Sequence, residues 1–110
     1  MTTQHPLLTR PFEELADALT GTQARRDTTV QFLRAESLLR DRAQPADAMA
    51  ALNGIGVRSD DARLAPRRAL LAAEIWVAMG QPDAAKTELD AAIAAFPQNA
   101  RLKARRDSLP

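Results

Sequence analysis

The sequence predicts an all-α chain of helical hairpins stacked as an α-solenoid, with about six helices. Three observations carry this. First, Ala43-Gln-Pro-Ala-Asp-Ala-Met-Ala-Ala-Leu52 returns as Gly80-Gln-Pro-Asp-Ala-Ala-Lys-Thr-Glu-Leu89, thirty-seven residues on, counted from Pro45 to Pro82. The residues ahead of each block correspond too: Leu33 to Leu70, Ala35 to Ala72, Leu38 to Ile75 and Leu39 to Trp76. A repeat near that length, helix then turn then helix, marks a solenoid, whose units bury their apolar faces only by stacking. Second, the apolar residues recur at helical spacing. Third, the chain has no Tyr and few β-branched runs, which argues against a sheet.

The elements follow in order. Residues 1–9 are polar and read as a loose tail. Pro11 suits a first helical turn, where its missing N–H costs nothing. Phe12, Leu15, Ala16 and Leu19 then share a face, and Gly21 ends that helix. Thr28 or Thr29 can cap a second helix to about Arg42, with Phe32, Leu33, Ala35, Leu38 and Leu39 as its apolar stripe. Pro45 opens a third, with Ala48, Met49 and Leu52 inward, and Asn53-Gly54-Ile55-Gly56 stops it. Pro66 opens a fourth, carrying Leu70, Ala73, Ile75, Trp76 and Met79. Gly80 breaks it and Pro82 opens a fifth, with Ala85, Leu89, Ala92, Ile93 and Phe96 on one face. Pro97 ends that, and Asn99 can cap a sixth to about Leu109, anchored by Leu102.

Composition sets the outer bounds. The 110 residues read as one small domain, 45% hydrophobic, much of it alanine, with 4% aromatics. The core is therefore expected to be thin and to depend on close helix contacts. A net charge of +1 gives no global field toward nucleic acid or membrane. The absence of cysteine excludes disulfides and thiol chemistry. No signal-like or membrane-spanning stretch is evident, so a cytoplasmic location is expected, or a periplasmic one if the chain is a domain of an exported protein.

From Pro66 onward the chain resembles the tetratricopeptide-repeat family, whose unit is about thirty-four residues of paired antiparallel helices. Small Ala73, large Trp76, turn Gly80, small Ala85 and Ala92 and closing Pro97 follow in the family's order. Small residues serve there because two helices approach closely only where side chains are short. A degenerate unit covers about 29–62, with Glu36 at a small position and Ala43 in place of the turn glycine. Residues 100–110 resemble the family's capping helix. Short proteins of this kind include chaperones of bacterial type III secretion. The run from Leu70 to Ala78 also resembles helical units of penicillin-binding-protein activators.

The resemblance implies a concave groove lined by the first helix of each unit. Carried over, its residues are Val30, Leu33, Arg34, Ser37, Arg40 and Asp41, then Arg67, Leu70, Leu71, Glu74, Val77 and Ala78, then Arg101, Ala104 and Arg105. Such a mixed apolar and basic groove suits an amphipathic or acidic segment of a protein partner. For Leu33 and Leu70 a plain core role is an even alternative. The family's carboxylate clamp does not fit, because Leu33, Ser37 and Leu71 stand where it needs a cation and two asparagines.

Other chemistry finds little support. His5 is the sole histidine and stands in the tail, so neither a metal site nor histidine acid–base work is expected. Trp76 reads as core before it reads as a stacking platform. Glu13, Glu14, Asp17, Asp60 and Asp61 read as solvated carboxylates, and no phosphate loop occurs. The basic clusters at Arg63, Arg67 and Arg68 and at Arg101, Lys103, Arg105 and Arg106 lack stacking aromatics. Solvated helix faces explain them better than nucleic-acid binding. The expected function is non-enzymatic and needs no cofactor: an adaptor or dedicated chaperone. A self-associating assembly piece is the alternative, and a nucleic-acid-binding regulator ranks last.

Overall fold

The computed structural model describes residues 27–110. The chain divides into two compact units, Met1–Val30 and Gln31–Pro110. Of the first, only the helical residues 27–30 are described. The helix expected over 11–20 lies outside the described residues. Five helices and no strand occur among the described residues: α1 over 27–40, α2 Pro45–Asn53, α3 Leu64–Ala78, α4 Pro82–Ala95 and α5 Ala100–Ser108. The all-α class stands.

In the second unit, α1 buries Phe32 and Ala35, and Leu38 and Leu39 pack beside them. This is one face at helical spacing. Leu33, expected in the same stripe, is 54% exposed. Its position falls on the flank of the face set by Phe32 and Ala35. Ala43 closes the exit turn of α1 at φ 54, a left-handed conformation that a Cβ disfavours. The Gln44 N–H donates to the Leu38 carbonyl at 2.8 Å across this turn.

Pro45 then occupies the first turn of α2, and the helix buries Ala48 and Leu52. Gly54 ends it in an ordinary right-handed conformation. Ile55, just beyond, turns back into the core. Val57, in the segment that follows, also lies against that core.

The next helix starts two residues before Pro66. Asp61 explains the earlier start. Its carboxylate accepts the N–H groups of Arg63 at 2.9 Å and Leu64 at 2.8 Å, and its carbonyl accepts that of Ala65 at 2.9 Å. These are orphan donors of a helix start, and a side-chain acceptor here stabilises the helix. Pro66 sits within the first turn, where it removes no hydrogen bond.

Helix α3 is central and buries two sides. Leu71, Ala72 and Ile75 join Phe32, Ala35, Ala48, Leu52 and Ile55 in one core cluster. Ala69 and Ala73 join Ala85, Leu89 and Leu102 in another. Burial of a leucine such as Leu52, Leu89 or Leu102 contributes about 2–3 kcal/mol. The alanines facing α4 let the backbones approach, and α3 packs more extensively on α4 than on α2 or α5. Trp76 is half-buried against the second cluster, and its Nε1–H donates to Glu88 Oε1 at 3.4 Å.

At the end of α3, Gly80 at φ 73 completes a Schellman turn. Gly80 N–H donates to the Val77 carbonyl at 3.0 Å and Gln81 N–H to that of Trp76 at 2.8 Å. Pro82 opens α4, which buries Ala85 and Leu89 and rests Ala92, Ile93 and Phe96 against the same core. Asn99 caps α5 by accepting the Leu102 N–H at 3.1 Å, and Leu102 is fully buried.

Candidate functional site

The face of α1 that carries Glu36 and Arg40 meets the face of α3 that carries Arg67 and Glu74. Arg67 Nη2 donates to Glu36 Oε1 at 3.0 Å, and Arg40 Nη2 to Glu74 Oε2 at 2.8 Å. Glu36 Oε2 also accepts from Arg40 Nη1 at 3.5 Å, so the four side chains form one alternating network. The Arg67 guanidinium lies 4.6 Å from the centroid of the Phe32 ring, a cation–π contact at the edge of the core. The hydrogen bond and charge of Glu74 raise the Arg40 pKa above its already high ordinary value. Exposed ion pairs contribute only about 0–1 kcal/mol each. Here they fix side chains in place more than they stabilise the fold.

This network forms one wall of a hollow of about 640 Å³. Leu70 and Leu71 lie on its α3 side, Arg63 and Pro66 at the helix start, and Asn99 and Arg101 where α5 begins. Four arginines thus face two glutamates around a small apolar surface. Arg40 and Arg67 are already paired. Arg63 and Arg101 are exposed, and neither side chain forms a salt bridge among the described residues.

Of the groove residues expected from sequence, Arg40, Arg67, Leu70, Leu71, Glu74 and Arg101 come together here. Leu71 needs correcting as a surface residue: it is 3% exposed and belongs to the core. The packing of α1 onto this side of α3 explains the difference. Arg34 also needs correcting, because it does not share a surface with Arg67. It lines a separate hollow of about 420 Å³ with Leu38, Ala50 and Ala51 of α1 and α2. Residues 34 and 36 are about 200° apart around a helix, so only one of them can face α3.

The remaining expected residues lie elsewhere. Leu33 is exposed outside the hollow, and Val30, in the first unit, is 60% exposed. Ser37 donates its hydroxyl to Asp41 Oδ2 at 3.0 Å. Arg105 donates to Ser108 Oγ at 3.0 Å. Val77 and Ala78 are exposed and do not line the hollow.

Sequence reasoning missed Glu36, Arg63 and Asn99. Glu36 lies four residues before Arg40, a spacing that pairs charges on a helix, and that signal was readable. The sequence pattern places Arg63 with Arg67 and Arg68 in one solvated cluster, but the structure splits the group. Arg68 Nη2 donates to Asn53 Oδ1 at 3.0 Å, toward the end of α2. The other basic run divides as well, since Arg106 pairs with Asp90 at 2.8 Å.

Among the described residues no group of three or more His, Cys, Asp or Glu is placed to hold a metal ion. No described helix is long and apolar enough to cross a membrane. No protein-family model matches the chain, and no curated protein or solved structure is significantly similar to it.

Proposed function

We propose that the chain is a tetratricopeptide-like binding module that holds a segment of a partner protein in the hollow between α1, α3 and the start of α5. The observation that carries this is the lining of that hollow: cations on three walls, two of them in no salt bridge among the described residues, around the exposed part of Leu70. Apolar surface supplies burial, while charge selects orientation and speeds encounter. The repeat supports the solenoid reading, because Ala35 and Ala72, Ala48 and Ala85, and Leu52 and Leu89 are equivalent in sequence and all fully buried. No reaction is assigned to the chain. Adaptor and dedicated chaperone both fit this reading.

A photo-crosslinking amino acid at position 70 tests it, with the same group at Lys86 as control. Adducts to another protein from position 70 but not from 86 are the expected result. The absence of any adduct would remove the hollow as a binding site. Adducts between two copies would favour the second reading, a self-associating assembly piece. That reading is supported by Leu33 and Val77, large apolar side chains left exposed.

A further inference from the structure

The four arginines of the hollow are not equivalent. Arg40 and Arg67 are bound by Glu74 and Glu36, so a visiting carboxylate would have to displace an existing partner. The Arg63 and Arg101 side chains are exposed and form no salt bridge among the described residues, although the Asp61 carboxylate lies near Arg63 and accepts its backbone N–H at 2.9 Å. Both also stand at helix starts: Arg63 immediately precedes α3, and Arg101 is in the first turn of α5. Neither first turn contains an acidic residue. Helix N-termini carry partial positive charge and favour anions, so a cation there works against helix stability. At the α3 start the Asp61 carboxylate offsets Arg63, whereas Arg101 has no acid in its first turn; both guanidinium groups line the one hollow, where they can meet an incoming carboxylate.

Resting on the reading of this hollow as a partner groove, we infer that it takes an acidic protein segment whose carboxylates are read by Arg63 and Arg101, while Arg40 and Arg67 only shape the wall. A polynucleotide fits less well. No aromatic side chain lines the hollow to stack a base, whereas Leu70 offers apolar surface to a peptide side chain.

The experiment is selection of random peptides of about fifteen residues, four helical turns, on the immobilised protein. Enriched peptides are then synthesised and their binding measured by fluorescence anisotropy. They are compared on the wild type, on R63E/R101E and on the neutral pair R63Q/R101Q. A labelled single-stranded DNA oligonucleotide is measured in parallel. Acidic peptides with an apolar face should be enriched. Their affinity should fall roughly tenfold or more in the Glu pair and less in the Gln pair, with a steep salt dependence in the wild type only. The melting temperature of R63E/R101E should stay close to that of the wild type, because a Glu suits the start of α5 while a Glu at 63 stands beside the Asp61 carboxylate.

Enrichment of no peptide at all would overturn the groove reading itself. Enriched peptides without acidic bias, or with affinity unchanged in both variants, would overturn the assignment to Arg63 and Arg101 while leaving the groove in place. Oligonucleotide binding that the Glu pair abolishes would overturn the protein-segment inference in favour of a polyanion.

Discussion

The two Gln-Pro turns hold the same residues in the same order and are built differently. Gln44 and Gln81 precede α2 and α4 at nearly the same dihedral angles, φ −115 and ψ 72 against φ −121 and ψ 65. Neither side chain caps its helix; proline starts both. The difference lies one residue earlier. Gly80 takes its left-handed conformation at no steric cost, whereas Ala43 takes nearly the same one with a Cβ. The hydrogen bonding also differs: Gln81 reaches back five residues, to Trp76, and Gln44 six, to Leu38. The second hairpin has a regular Schellman exit, and the first has a longer, strained one. A left-handed residue before Gln-Pro is thus formed by alanine in one turn and glycine in the other, with buried core residues on either side of both.

The largest effects should come from those core residues. Leu52 and Leu89 are equivalent and fully buried. Leu52→Ala and Leu89→Ala should each cost about 3 kcal/mol in denaturant unfolding. If Leu52→Ala cost less than half as much as Leu89→Ala, the hairpins would share a pattern without sharing packing quality.

Trp76 and Leu39 are the next pair, and both are half-buried. Trp76→Ala should cost about 2 kcal/mol, less than a fully buried indole, because part of the ring stays in water. The core role read for Trp76 from the sequence implies a larger loss. A change near zero would detach Trp76 from the second core cluster and make it available to a ligand.

A glycine exchange tests the turns directly. Gly80→Ala should destabilise by about 1–2 kcal/mol, since it imposes on the second hairpin the strain of the first. A Cβ at Gly80 meets no atom within 4 Å, so the cost is conformational and not steric crowding. Ala43→Gly should stabilise by about 0.5–1 kcal/mol, the relieved strain exceeding the added freedom of the unfolded chain. Thermal melts of the two single variants and of the double variant would measure both. A destabilising Ala43→Gly would show that the alanine side chain matters to the first turn.

The smallest expected effect concerns how helices start. α2 and α4 begin at proline, while α3 begins at a carboxylate. Hydrogen bonds from the Leu64 and Arg63 N–H groups hold the Asp61 pKa below its ordinary value. Its contribution is complete above the unfolded-state pKa of about 3.9 and is lost as pH falls through the lower folded value. Asp61→Asn keeps a capping acceptor but removes this titration. Its stability relative to wild type should therefore be least favourable near neutral pH and should draw level in acid. A constant difference across that range would remove the ionised cap as the source.

Much of the fold was legible because helix punctuation is local chemistry. Pro45, Pro82, Gly80 and Asn99 mark boundaries within one or two residues of those observed. Alanine and leucine spacing likewise named most of the core. The helix start before Pro66 was missed because Asp61 lies three residues ahead of α3 and looked like one solvated acid among several.

The site was legible only in part, and the reason is geometric. Sequence determined which residues of each helix share a face, since that depends on helical pitch alone. It therefore brought Arg67, Leu70 and Glu74 to one side of α3. Which neighbour that face meets depends on how the helices pack, and packing follows from side-chain fit over distances that no local pattern records. Tertiary structure alone decided that Glu36 and Arg40 of α1 would pair with Arg67 and Glu74. It also decided that Leu71 would be buried, that Arg34 would line a different hollow, and that the Arg63 and Arg101 side chains would line the first hollow outside any salt bridge.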